Sequence, residues 1–196
     1  MFITFSKFPD YLSYFMKVVL IGIFLYEIFS HNILLALGAL SALVLSSLPA
    51  IVSRNYQAHL PVTVDFFVTL SVFLHIFGLA FNFYHSPTWW WWDNLTHFLG
   101  VGVIAMLAFL LIFSLTYVKK IHMPLSIAGI FIFSSAMAIG ALWEVSEFYF
   151  DIVFGTESLG DLYDTIEDLQ FNAVGGLVVT VFGVLYMKRK FKKKPL

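Results

Sequence analysis

Asp161-Leu-Tyr-Asp164-Thr-Ile-Glu-Asp168-Leu-Gln-Phe-Asn172-Ala-Val-Gly175-Gly176 opens an apolar run that continues to Met187. Asp164, Asp168 and Asn172 recur every four residues, and Gly175 follows three later. On a helix these positions share one face, a turn apart. The pattern predicts a membrane-spanning helix entered through acids at or just inside the boundary. An acid at that depth is costly unless something partners it, which makes the stripe a candidate site.

The rest of the chain supports the membrane reading. Of its 196 residues, 60% are hydrophobic and only 12% charged. A soluble domain of this size cannot hide so much apolar surface, so the composition predicts an all-α, polytopic membrane bundle. No linker or repeat divides it, and the expectation is a single transmembrane domain over residues 1–196. The chain has no cysteine. Disulfides, thiolate metal sites and thiol nucleophiles are therefore excluded.

Six segments of spanning length follow in order, at about 12–30, 33–52, 62–84, 93–118, 125–150 and 164–187. A short amphipathic lead, residues 1–11 with Phe2, Phe5 and Phe8, precedes them. The first run has no small-residue cleavage site and reads as a retained helix rather than a signal peptide. Trp89-Trp-Trp-Trp92 reads as an interfacial belt. The fifth segment holds Ser134, Ser135, Ala136, Ala138, Gly140 and Ala141. Residues this small let helices approach closely, so it is expected at the centre of the bundle. A basic tail, residues 188–196, ends the chain.

Orientation follows from the basic residues. With both termini in the cytoplasm, all 11 Lys and Arg fall on the cytoplasmic side. Of the 12 acids, all but Asp10 and Asp65 then fall on the outer side. The positive-inside rule does not require that second asymmetry. Negative charge with no basic residue nearby needs protons or metal cations to neutralise it.

Three motifs carry this charge. Asp93-x-x-x-His97 opens the fourth segment, and its i,i+4 spacing puts carboxylate and imidazole on one face. Glu144-Val-Ser-Glu147 closes the fifth, and Asp164-x-x-x-Asp168-x-x-x-Asn172 opens the sixth. His75 lies past the middle of the third, in its outer half. Taken singly, Asp93 or Asp164 reads equally as a helix cap, and His75 as a hydrogen-bonding partner of a neighbouring helix. Taken together, they share a side and a depth. Bundle cores build one- or two-cation sites from carboxylates of several helices and a helical His. The expected metal ligands are Asp93, His97, Glu144, Asp164 and Asp168. Glu147 and His75 are the candidate catalytic groups, and Asn172 is the supporting polar group. Such oxygen and nitrogen ligands suit a divalent Zn, Mn, Fe, Mg or Ca ion.

These residues resemble a known pattern. Trp92-Asp93-x-x-x-His97-Phe98, Trp143-Glu144-x-x-Glu147 and Asp164-Thr165-x-x-Asp168, with His75 in the preceding helix, resemble the YjdF-type family of bacterial and archaeal inner-membrane proteins of unknown function. The resemblance covers roughly residues 60–185. It implies a fold and a site, and no activity. A more distant similarity is to VanZ-like proteins, through Asp168, Asn172 and Gly175. Their pattern has Gln where this chain has Glu147.

Three functions suit such a chain. The first is a metal-dependent hydrolase or transferase acting on a lipid or lipid-linked envelope substrate, with water as the attacker. The second is a proton- or cation-coupled transporter, although no inverted repeat is evident and the cytoplasmic half offers no matching acids. The third is a structural or accessory membrane protein whose acids bind a helix-locking cation. Membrane lipids are the expected surroundings, nucleic acid is not an expected partner, and the location is the inner (cytoplasmic) membrane.

Overall fold

The computed structural model describes residues 8–55, 62–118 and 120–191, and all their regular structure is helical. The helices are α1 (Phe8–Phe29), α2 (Ile33–Asn55), α3 (Val62–Ala80), α4 (Trp92–Tyr117), α5 (Leu125–Phe154) and α6 (Leu162–Phe191), with a single 3₁₀ turn at Pro87–Trp89. All six are long and apolar enough to cross a membrane. Phe2 and Phe5 of the expected lead, the 56–61 connection and residues 192–196 of the tail lie outside the described residues.

The helix ends depart from the expected ones for local reasons. Helix α1 starts at Phe8, so the last four residues of the expected lead are already helical. It ends in a Schellman motif with His31 left-handed (φ 61°), Asn32 N–H on Glu27 O and His31 N–H on Ile28 O. Helix α3 stops at Ala80 rather than near 84 by the same device. There Asn82 is left-handed (φ 56°), and Phe83 and Asn82 bond back to Gly78 and Leu79. Helix α5 runs past 150 to Phe154, where Gly155 (φ 67°) ends it. Helix α6 begins at Leu162 because Asp161 Oδ1 accepts the N–H groups of Tyr163 and Asp164, at 2.8 and 3.0 Å.

The chain divides into two compact units, Met1–Trp92 and Asp93–Leu196. In the first, Leu20 and Ile23 of α1 pack with Ala39 and Ala42 of α2 and Ile76 of α3. Lys17 of α1 reaches Asp65 of α3 at 2.9 Å, so Asp65 has its own partner. Of the four tryptophans, Trp92 is buried among Phe77 and Phe83, and Gly78 leaves the space its indole fills. Trp90 and Trp91 are the exposed pair.

In the second unit Val101 and Ala105 of α4 pack with Ile132 and Ala136 of α5, and Val179 of α6 joins them. Two glycines bring backbones together beside the acids. A methyl group on Gly175 would overlap the Phe98 carbonyl of α4. One on Gly140 would stand 3.0 Å from Asn172 Nδ2 and 3.1 Å from Val101 Cγ2. Helices α5 and α6 have 30 residues each. At 1.5 Å per residue each is about 45 Å long, more than the roughly 30 Å of hydrocarbon, so their ends project.

Candidate functional site

The candidate site belongs wholly to the second unit, at the end of α4, α5 and α6 that carries the acids. Asp93 is the second residue of α4 and His97 lies one turn on. Glu144 lies two thirds of the way along α5, and Asp168 and Asn172 in the second and third turns of α6. Helical rise places His97 and Asp168 within about 10 Å of their helix starts, hence at a common depth.

The His97 ring is the hub, and it is 7% exposed. Its Nε2 lies 3.3 Å from Asp93 Oδ1 and 3.6 Å from Asp168 Oδ1. Its Nδ1 lies 3.3 Å from Asn172 Oδ1 and 3.5 Å from Glu144 Oε1. Each ring nitrogen thus faces groups from two helices. One potential ligand atom each from Asp93, His97 and Asp168 lie within 4.8 Å of one another, and the same is true of His97, Glu144 and Glu147.

Burial makes this arrangement expensive. Glu144 is 6% exposed, Asp168 2% and Asn172 fully buried. Both Glu144 oxygens, Asp168 Oδ1 and Asn172 Nδ2 have no hydrogen-bond partner among the described residues. Taking an ion out of water costs several kcal/mol even after relaxation. One imidazole cannot balance four surrounding carboxylates, and no Lys or Arg pairs with them among the described residues. Acceptors held together at this cost, with lone pairs unused, suit an added cation.

The spacing suits one as well. A first-row divalent ion with bonds of about 2.1 Å in tetrahedral geometry separates its ligand atoms by about 3.4 Å. The observed 3.3 and 3.6 Å from Nε2 to the two aspartates bracket that edge. The Asn172 amide oxygen can accept a proton from His97 Nδ1, which leaves the Nε2 lone pair turned toward the aspartates. A ligating His commonly has its other ring nitrogen held in this way.

The other expected residues fall as follows. Glu147 is partly buried, and its Oε1 accepts the Trp143 indole N–H at 2.9 Å. Asp164 stands outside both converging groups; it is in the first turn of α6, its N–H on Asp161 and its carboxylate beside Gly160. His75 belongs to the first unit, where Nδ1 meets Tyr84 Oη at 2.8 Å, and neither converging group includes it.

Sequence reasoning gave no role to several residues that shape the site. Asn94 Nδ2 donates to Glu167 Oε1 at 3.1 Å and ties α4 to α6 at the rim. Asp151 accepts from Thr156, Ser158 and Leu159 and folds the α5–α6 connection. Only Asp151 gave a signal, as an acid just before Gly155 and a turn-rich stretch.

A family model described as "Predicted membrane protein (DUF2238)" matches residues 12–189. This is the YjdF-type family, and the matches give no support to the VanZ-like similarity. No curated protein and no solved structure matches the chain.

Proposed function

We propose, for a chain that belongs to the DUF2238 family of predicted membrane proteins, a buried divalent-cation site held by Asp93, His97 and Asp168. Glu144 stands at the other ring nitrogen, Nδ1, with Glu147 close to both, and Asn172 orients the ring. The site faces the extracytoplasmic side of the cell membrane. The bound ion serves hydrolysis or group transfer on a lipid or lipid-linked envelope substrate. The supporting observation is that Asp168 Oδ1 and both Glu144 oxygens, buried and without hydrogen-bond partners among the described residues, gather on one His97 ring.

Zn, Mn, Fe or Mg would each accept this donor set. When bound, the ion acidifies a water and polarises a phosphoryl or carbonyl oxygen. Glu147, less buried than Glu144 and close to His97, would serve as the proton acceptor, with its carboxylate oriented by the Trp143 N–H. Asp164, a turn outside the converging groups, would assist at the entrance rather than ligate.

The test is elemental analysis of detergent-purified protein, wild type beside Asp168→Ala. Stoichiometric metal in the first and none in the second is the expected result. A folded, metal-free wild type overturns the reading. Ligands drawn from separate helices also suit an ion that only locks α4 to α6. Chelation separates the two roles. A catalytic ion leaves the protein folded but inactive on phosphoester or lipid-linked substrates, whereas a locking ion gives a large drop in Tm and no activity to lose.

A further inference from the structure

The opposite end of the second unit holds a feature that the cation site does not use. Thr116 of α4, Met123, Pro124 and Leu125 at the start of α5, and Met187, Lys188 and Phe191 of α6 line an open cavity of about 390 Å³. Three of its features favour an anion. Thr116 is 2% exposed, and its Oγ1 has no hydrogen-bond partner among the described residues. Pro124 occupies the N-cap of α5 and offers no capping side chain. Helical geometry then leaves the N–H groups of Leu125, Ser126 and Ile127 without intrahelical acceptors, at the positive end of the α5 dipole. Lys188 completes the rim, with Arg189 and Lys190 next to it in the last turn of α6.

Nothing acidic competes. No Asp or Glu occurs between Asp93 and Glu144 or after Asp168. The remaining lining is apolar: Met123, Leu125, Met187 and Phe191. A free phosphate would leave that lining unused, and a zwitterionic headgroup would bring its own cation against Lys188. We infer that this cavity binds an anionic phospholipid of the surrounding membrane. Its phosphate sits between the α5 N-terminus, Thr116 and Lys188, and an acyl chain lies along the methionines and Phe191.

The experiment is native mass spectrometry of the full-length protein in detergent, titrated with phosphatidylglycerol or with phosphatidylcholine of the same chains. Inorganic phosphate is the competitor. A saturable phosphatidylglycerol adduct is expected, and Lys188→Gln should weaken it about fivefold, the worth of one basic residue near anionic lipid. Thr116→Val should weaken it too, while Lys190→Gln, next to the site but not lining it, should leave it within about twofold. Equal binding of phosphatidylcholine overturns the proposal. So does displacement by millimolar inorganic phosphate, which would mark a free-anion site. Equal losses in Lys190→Gln and Lys188→Gln would mark diffuse charge instead of a site. Lys188 is exposed, so its variant keeps the test valid even where Thr116→Val does not fold.

Discussion

His97 shows what one residue type can and cannot reveal in a sequence. The i,i+4 spacing from Asp93 puts the two on one face, and their atoms lie 3.3 Å apart. Spacing along one helix says nothing of which ring nitrogen meets which partner from another. The division of Nε2 to the aspartates and Nδ1 to Asn172 and Glu144 is a product of packing. It leads to a prediction. Asn172→Leu keeps the branched shape at a somewhat larger volume and removes the Nδ1 acceptor. Metal affinity should fall about 10- to 100-fold, as for other groups that orient a ligating His. Competition against a chelating dye measures it, and unchanged affinity would show that Asn172 does not orient the ring. A second prediction concerns Glu144, whose oxygens are both buried and without a hydrogen-bond partner among the described residues. Glu144→Gln removes a charge from a crowd of like charges at almost constant shape. The metal-free variant should be more stable than metal-free wild type by about 1–3 kcal/mol, read from thermal melts. Its metal content should be no higher. A fall in metal-free stability would mean that the carboxylate is a structural acceptor.

At the scale of helices, apolar length gives the number of elements and their order, and the hydrogen-bonded caps decide their ends. Asp164 illustrates the limit. Its place at the head of an apolar run reads equally as cap or ligand, and the cap is in fact Asp161, three residues before the expected start. Helix α6 therefore begins earlier and carries Asp164 in its first turn. His31 and Asn82 end α1 and α3 in left-handed geometry, which non-glycine residues adopt too seldom for a sequence to announce. Glycine is more legible, yet its consequences depend on the neighbour. Gly175→Ala would drive a methyl into the Phe98 carbonyl, next to His97. Backbone cannot move aside as a side chain can, so stability should fall by about 1–3 kcal/mol and metal binding with it. Gly22 has nothing within 4 Å of its would-be Cβ. Gly22→Ala, in the middle of α1, should be neutral or stabilise by up to about 1 kcal/mol. Thermal melts of the two variants in one detergent test the pair. A loss for Gly22→Ala matching that for Gly175→Ala would refute the close-approach account.

At the scale of the whole molecule charge decides the orientation. Along the sequence, basic residues gather at one set of helix ends and all acids but Asp10 and Asp65 at the other, and only the first pattern is a topology signal. The fold follows from composition and segment length, whereas the direction of insertion rests on that one rule. The sidedness of the His97 cluster and of the lipid cavity depends on it. The chain offers a direct test, because it has no cysteine and needs no background substitutions. Ser126 and Ser158 are both exposed and flank the 30-residue α5, one just inside its start and one beyond its end. Ser→Cys at either changes one atom. In intact cells a membrane-impermeant maleimide should label Ser158→Cys and not Ser126→Cys, and permeabilisation should make both reactive. Labelling of both in intact cells would mean that α5 does not span. The reverse pattern would put the His97 cluster in the cytoplasm. An envelope substrate would then be excluded, since the carboxylates would face the wrong compartment, while the metal reading would stand because it depends only on distances within the second unit.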